Sequence, residues 1–221
     1  MALMVGDSQS FDPSIRSSIR HKAETLRSLV VPLLTNWLTH RRLLKVSQHL
    51  GRRVLDVGCG NGELLDYVPA WVERIVLLDS NPDRWLMIEK KPSSHRPFVQ
   101  FLVRDINQDK IDLPSDSFDT VVMAAVLEHL KAPSYALKTI RAVLDDDGKL
   151  VMSTPTPAGG TLHKLGSYLG LTCPEAANEH QQFYDFPAIK QLMEENGFAI
   201  DFYGRFLLGL NQIWVARKKP E

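Results

Sequence analysis

The sequence predicts an α/β fold, a mostly parallel sheet covered by helices on both faces, with a helical cap ahead of it. Three observations carry this. Short, almost wholly apolar segments alternate with helix-like segments from Arg53 onward. Strands of that kind must be buried on both faces, as in a parallel sheet between helix layers. A glycine-rich turn, Gly58–Cys59–Gly60–Asn61–Gly62, closes the first of these segments. The alternation reaches a fifth strand, breaks after Thr154, and ends in two more strand-like segments.

The elements follow in order. Residues through Pro13 read as a loose tail. From Ser14 to about Leu50, Leu26, Leu29, Val30, Leu33, Leu34, Trp37 and Leu38 recur at helical spacing. Pro32 predicts two helices or one bent one, because proline removes an N–H and clashes with the turn before it. Residues 1–50 are therefore expected to be a tail and helical cap, packed on the domain or also closing over a ligand. Residues 51–221 are expected to be one domain. VLDV (54–57) is the first strand, and Gly62–Tyr67 opens a helix. RIVLLDS (74–80) is the second strand, and Pro82 suits the first turn of the helix after it. FVQFLVRD (98–105) and FDTVVMAAV (118–126) are the third and fourth strands. Pro133–Leu144 is a helix with Tyr135, Leu137, Ile140 and Leu144 as its apolar stripe. Asp147–Gly148 turns the chain into KLVMST (149–154), the fifth strand. A short helix is expected at Leu162–Leu169, and another at Pro187–Asn196 with Gly197 as its C-cap. FAIDFYGR (198–205) and NQIWVARK (211–218) form an antiparallel pair, linked through Gly209–Leu210–Asn211.

Composition narrows the function. The chain has 221 residues, enough for one α/β domain and short for two. Lys plus Arg and Asp plus Glu each number 26, which weighs against a protein built to grip nucleic acid by its phosphates. The two cysteines, Cys59 and Cys173, sit far apart in no metal-ligand spacing, so neither a disulfide scaffold nor a structural zinc is expected. The N-terminus does not read as a signal peptide, and no apolar run is long enough to span a membrane. A cytoplasmic location is the default expectation.

The glycine turn holds the chemical signal. Between a strand and a helix, such a turn lets a ligand approach bare backbone. Asp79, at the end of the second strand and 19 residues past Gly60, is placed to take the two hydroxyls of a ribose. A dinucleotide fingerprint reads G-x-G-x-x-G. Here the third glycine comes one position early, and Glu63 stands where glycine or alanine is wanted. Asp56 adds a carboxylate at the start of the turn. It suits an ammonium or sulfonium and repels a pyrophosphate, which favours S-adenosylmethionine (SAM) over NAD.

Over residues 52–154 the chain resembles class I SAM-dependent methyltransferases of the broad ubiquinone/menaquinone-biosynthesis type. The motifs are VLDVGCGNG, LLDSNP, VRDINQDKIDLPSDSFDTVV and AAVLEHL, with EHLKAP at 128–133. The resemblance implies a Rossmann-like seven-stranded sheet with an antiparallel last strand, and SAM as the cofactor. It implies that Gly58, Cys59, Gly60, Asn61 and Gly62 hold the methionine part and Asp79 the ribose. Asp105 would reach the adenine amine, with Ile106 beside the ring, and Ser80 and Ala124 complete the expected cofactor set. Asp56 is the candidate for the methionine ammonium, and the N–H groups of Gly60 to Glu63 for its carboxylate. Residues 155–186 fall where the family inserts substrate-binding structure and are expected to form an acceptor lid.

Methyl transfer from a sulfonium is an in-line displacement that needs alignment, exclusion of water and sometimes a base. The candidate catalytic residues are His129, His180 and Tyr184. His129 follows the fourth strand and is either a general base or a residue that fixes the loop. Glu128 beside it suits a helix start. On a helix His180 and Tyr184 share a face, and with Glu179 they form a candidate acceptor cluster. A metal set of His163, Glu179 and His180 matches no standard signature, so no metal is expected. Phe183, Tyr184 and Phe186 either line an apolar acceptor pocket or hinge a lid. Trp37 and Trp85 read as packing residues, Trp71 as an anchor and Trp214 as core. The acceptor is read as a small molecule, methylated on oxygen, nitrogen or carbon. Four alternatives stand beside this. A protein acceptor has no discriminator in the sequence. Base-amine methylation of nucleic acid is disfavoured, because AAVLEHL departs from the Asn/Asp-Pro-Pro-aromatic pattern. A non-catalytic SAM-binding partner subunit and a NAD-dependent oxidoreductase come last. Oligomeric state is left open.

Overall fold

The computed structural model describes residues 13–91, 97–111, 113–114, 117–168 and 182–220. The strands are β1 (Arg53–Val57), β2 (Arg74–Asp79), β3 (Phe98–Val103), β4 (Phe118–Ala124), β5 (Leu144–Pro155), β6 (Phe198–Phe206) and β7 (Asn211–Lys218). They form one seven-stranded sheet in the order β3-β2-β1-β4-β5-β7-β6. The first five pair in parallel, and β7 runs antiparallel to both β5 and β6. The chain starts in the middle at β1, builds outward through β2 and β3, then returns to β4 on the other side. The crevice beyond the carboxyl ends of β1 and β4 is therefore the switch point where open α/β sheets bind ligands.

Alternation along the strands fills two cores. Leu55, Val57, Val76, Leu78, Val121 and Met123 face one side, packed with α3 (Pro133–Val143) and α5 (Phe186–Glu195). Val54, Ile75, Leu77, Val122 and Val151 face the other, under α1 (Pro13–Ser47), α2 (Arg84–Glu89) and a 3-10 turn at Glu63–Tyr67. A further helix, α4 (Pro157–Tyr168), follows β5. It starts earlier than expected and includes Gly159 and Gly160, which permit close packing. A Cβ at Gly159 would lie 1.9 Å from the Leu210 carbonyl oxygen, and one at Gly160 2.5 Å from the Phe183 ring.

Several expectations change. α1 is one helix that continues through Pro32, which is exposed. The segment after the glycine turn is a 3-10 turn, because only five residues separate Gly62 from an extended Val68 and the following Pro69. Pro82 sits in the turn before α2 rather than in its first turn. β4 ends at Ala124 because Ala125 takes a left-handed φ of 61°. Asp147–Gly148 lies inside β5: Leu144 pairs with Phe118 and Lys149 with Thr120, so residues 145–148 bulge from the ladder. The β6–β7 turn starts earlier than expected, with Leu207, Leu208 and Gly209 all at positive φ. Trp37, expected as a packing residue, is 51% exposed. Among the described residues, no helix is long and apolar enough to cross a membrane.

Candidate active site

The glycine turn is held in shape by the end of β2. Gly58 and Cys59 N–H groups both donate to the Leu78 carbonyl, at 2.8 and 3.1 Å. Asp79 Oδ2 accepts from Gly60 N–H at 3.0 Å, while its Oδ1 accepts from Asn81 N–H at 3.0 Å. Gly58, Gly60 and Gly62 all have φ between 56° and 69°, the left-handed region that side chains avoid. Gly58 is also needed for space, since a Cβ there would sit 2.5 Å from Val126 Cγ2.

Three of the four amides expected to receive a ligand carboxylate, those of Gly60, Asn61 and Gly62, are already engaged. Gly60 N–H is on Asp79, Asn61 N–H on Glu63 Oε2 at 3.1 Å, and Gly62 N–H on the Cys59 carbonyl at 2.9 Å. Glu63 supplies its own carboxylate to the loop and also takes Asn61 Nδ2 at 3.1 Å. Arg84 from α2 donates to Asn61 Oδ1 at 2.8 Å, so this side chain is tied down rather than offered. Asp56, Glu63 and Asp79 thus crowd three carboxyl groups around one turn. Asp56 is 3% exposed, and burial first, then Glu63 and Asp79, push its pKa up to about 8. Burial likewise pushes the Cys59 thiol far up, reinforced by Asp56, Asp79 and Glu63, so Cys59 is a small buried thiol and no nucleophile.

Beside the turn lies an open cleft of about 140 Å³, lined by Gly58, Leu78, Asp79, Ser80, Arg104, Asp105, Ile106, Asn107, Val126, His129 and Leu130. Asp105 is bonded within its own loop. Its Oδ1 accepts from Asn107 N–H at 3.0 Å and Asn107 Nδ2 at 2.9 Å, and its Oδ2 from Gln108 Nε2 at 3.0 Å. Those bonds, the Asn107 backbone foremost, hold its carboxyl below the ordinary value, so it is an anion at neutral pH. Three acceptor positions are used, and a carboxylate offers about four, which leaves room for one further donor. Asp56, Cys59, Asn61 and Ala124 do not line this cleft.

Glu128 and His129 leave β4 in a 3-10 turn, Leu127–His129. Glu128 does not serve a helix dipole in water; it is 1% exposed. Its Oε2 accepts from Thr154 Oγ1 at 2.9 Å, and its buried Oε1 has no hydrogen-bond partner among the described residues. Burial raises its pKa, against the pull of Arg42 on α1. His129 sits at the cleft wall, its N–H donating to the Val126 carbonyl at 2.9 Å. Tyr184 lies elsewhere: it packs on the core, its buried hydroxyl has no partner among the described residues, and its carbonyl accepts from Gln212 Nε2 at 2.9 Å. Phe186 stacks on Trp214 at 5.0 Å, a core contact rather than a pocket wall. His180, Glu179 and the side chain of His163 lie outside the described residues.

Against known proteins, the model of a methyltransferase domain matches residues 32–201, most of the chain. The chain belongs to the SAM-dependent methyltransferase family. A ubiquinone biosynthesis O-methyltransferase of Xanthomonas euvesicatoria is 30% identical over 148 residues, covering 64% of this chain and 62% of that one. The methyltransferase thus spans about three fifths of that relative's length. A tRNA U34 carboxymethyltransferase of Pseudomonas syringae is 33% identical over 126 residues, 54% of this chain and 39% of that one. The fold matches the crystal structure of a SAM-dependent methyltransferase from Methanosarcina mazei with a TM-score of 0.61. At 17% identity it covers 80% of this chain and 97% of that one.

Sequence reasoning missed two parts of the methyltransferase's site. Glu63 ties down the glycine turn through its carboxylate, which takes Asn61 N–H and Nδ2; its position two residues past Asn61 was the available signal. Arg42, whose field acts on Glu128, comes from the cap helix, and no local pattern marks it.

Proposed function

We propose that this methyltransferase transfers a methyl group from SAM to an oxygen atom of a small molecule, with His129 as the general base. The observation that carries it is a cleft in which Asp79, Asp105, Ile106 and His129 come together beside Gly58. The residues fit SAM by their chemistry. Three carboxylates, Asp56, Glu63 and Asp79, surround a turn whose glycines leave the backbone bare, which suits a cationic ligand and disfavours a pyrophosphate. The cleft is smaller than the roughly 300 Å³ or more of a whole-ligand pocket. It suits the adenosine half, with the methionine part over the glycine turn. When bound, SAM supplies a methyl carbon activated by its sulfonium.

The chain's own residues then divide the work. Asp79 holds the ribose hydroxyls, with Ser80 next to it, while keeping Gly60 in place. Asp105 takes the adenine amine, and buried Ile106 packs beside the ring. Asp56, made anionic by a cation beside it, holds the ammonium. Asn61, Gly62 and Ala124 shape the turn and the strand end behind the ligand. His129 removes the acceptor proton as the new bond forms. An oxygen acceptor is favoured by the name of the Xanthomonas relative. A tRNA acceptor is the second reading, favoured only by the Pseudomonas relative. Acceptor recognition from residues 155–186, including His180, belongs to the proposal as well, without Tyr184, which packs on the core.

The test is calorimetric titration with SAM and S-adenosylhomocysteine, beside NAD. Binding of the first two that weakens by about 30-fold or more in Asp79→Ala, with NAD silent, supports the reading. No binding by a folded protein sinks it. Methyl transfer from labelled SAM to phenols rather than to unmodified tRNA then separates the two acceptors.

A further inference from the structure

Helix α1 is tied to the domain near its carboxyl end. Leu43 and Val46 enter the core, and His40 Nδ1 meets the Tyr67 hydroxyl at 2.9 Å. The opposite side is bare. Leu33 is 69% exposed, Leu34 43%, Trp37 51% and Leu44 38%. Their spacing of three and four residues sets them on one stripe, together with exposed Arg41 and Lys45. Apolar residues scattered singly over a surface mean nothing, but a tryptophan and three leucines along one stripe mark a surface that is covered in use.

Charge identifies what covers it. The chain is neutral, yet α1 carries seven of its lysines and arginines and a single acid, Glu24. The compensating negative charge lies elsewhere. We propose that α1 is an interfacial helix that lies flat on an anionic lipid surface. Trp37 and the leucines enter the headgroup boundary, and Arg41 and Lys45 meet lipid phosphates. A second copy of the chain is the poorer occupant, because self-pairing would set one strongly cationic helix against another. Nucleic acid would match the charge and leave the apolar stripe without a partner. α1 is also too polar to cross a bilayer, so the helix lies on the membrane instead of spanning it.

Sedimentation of the full chain with vesicles tests this. Vesicles of equal parts phosphatidylglycerol and phosphatidylcholine are expected to carry the protein down, and vesicles of phosphatidylcholine alone are not. Arg41→Glu with Lys45→Glu is expected to lower partitioning by about 30-fold or more, since each basic residue contributes about fivefold. Leu34→Ser with Trp37→Ser is expected to lower it at least about tenfold. All four positions are exposed, so the variants should keep the wild-type melting temperature and SAM affinity. Equal sedimentation with both vesicle types overturns the proposal. So does a dimer in sedimentation velocity that Leu34→Ser with Trp37→Ser dissolves, or tighter binding to duplex RNA than to the anionic vesicles. SAM binding is measured separately, so failure here leaves the methyltransferase reading untouched.

Discussion

At Asp56, burial and neighbouring charge push the same way. The folded pKa is about 8 against an ordinary 3.8, so the folded state holds a proton that the unfolded chain has lost. For a raised acid the sign is clear: this contribution to stability is present below the unfolded pKa and disappears as pH rises through the folded one. The melting temperature of the ligand-free protein is therefore expected to fall between about pH 4 and pH 8, and Asp56→Asn to flatten that fall. A cationic ligand reverses the preference. Titration with SAM near neutral pH should release a proton, seen as a binding heat that varies with the ionisation enthalpy of the buffer. Gly58 carries a second prediction at this scale. Gly58→Ala combines a left-handed φ of 67° with a Cβ 2.5 Å from Val126 Cγ2. It is expected to cost about 2 kcal/mol or more in chemical denaturation and to weaken SAM binding.

Elements decide how those residues reach one place. The glycine turn is strapped to β2 through Leu78 and Asp79, which joins the ends of the two strands. The left-handed Ala125 ends β4 and turns the chain into the 3-10 segment that sets His129 at the cleft wall. His129→Gln is expected to lower kcat toward a phenolic acceptor by about 10²–10⁴-fold and leave the Kd for SAM unchanged. A fall in SAM affinity of similar size would instead make His129 a loop-fixing residue. In α1, proline inside a continuous helix omits a backbone hydrogen bond. Since Pro32 is exposed, Pro32→Ala should raise helicity by circular dichroism and add up to about 3 kcal/mol of helix stability.

For the whole molecule, the sheet uses both faces for core and leaves the carboxyl ends of its strands beside the cleft. Ligand binding to the folded state alone should raise the melting temperature. At 100-fold excess over Kd the gain is about 2.7 kcal/mol, or roughly 5–10 °C for a chain of this size in scanning calorimetry. The absence of any shift would remove SAM from the cleft. At this scale α1 has a double part: its inner side brings Arg42 toward the buried Glu128, while its outer side leaves Trp37 in water. The balanced total of 26 and 26 conceals that split, because a sum carries no information about where charges lie.

What the sequence by itself determined is the alternation of buried strands and helices, the glycine turn, and the acidic residues that end β2 and follow β3. Each of these is local: strand burial, positive φ and short spacing are written in neighbouring residues. Tertiary structure alone decided that Glu63 and Asp79 occupy the turn's amides, that Glu128 is buried, and that Tyr184 packs on the core away from the cleft. It also decided which side of α1 stays bare. Those outcomes depend on side chains brought together from distant segments, and helical spacing names a stripe without saying what lies against it.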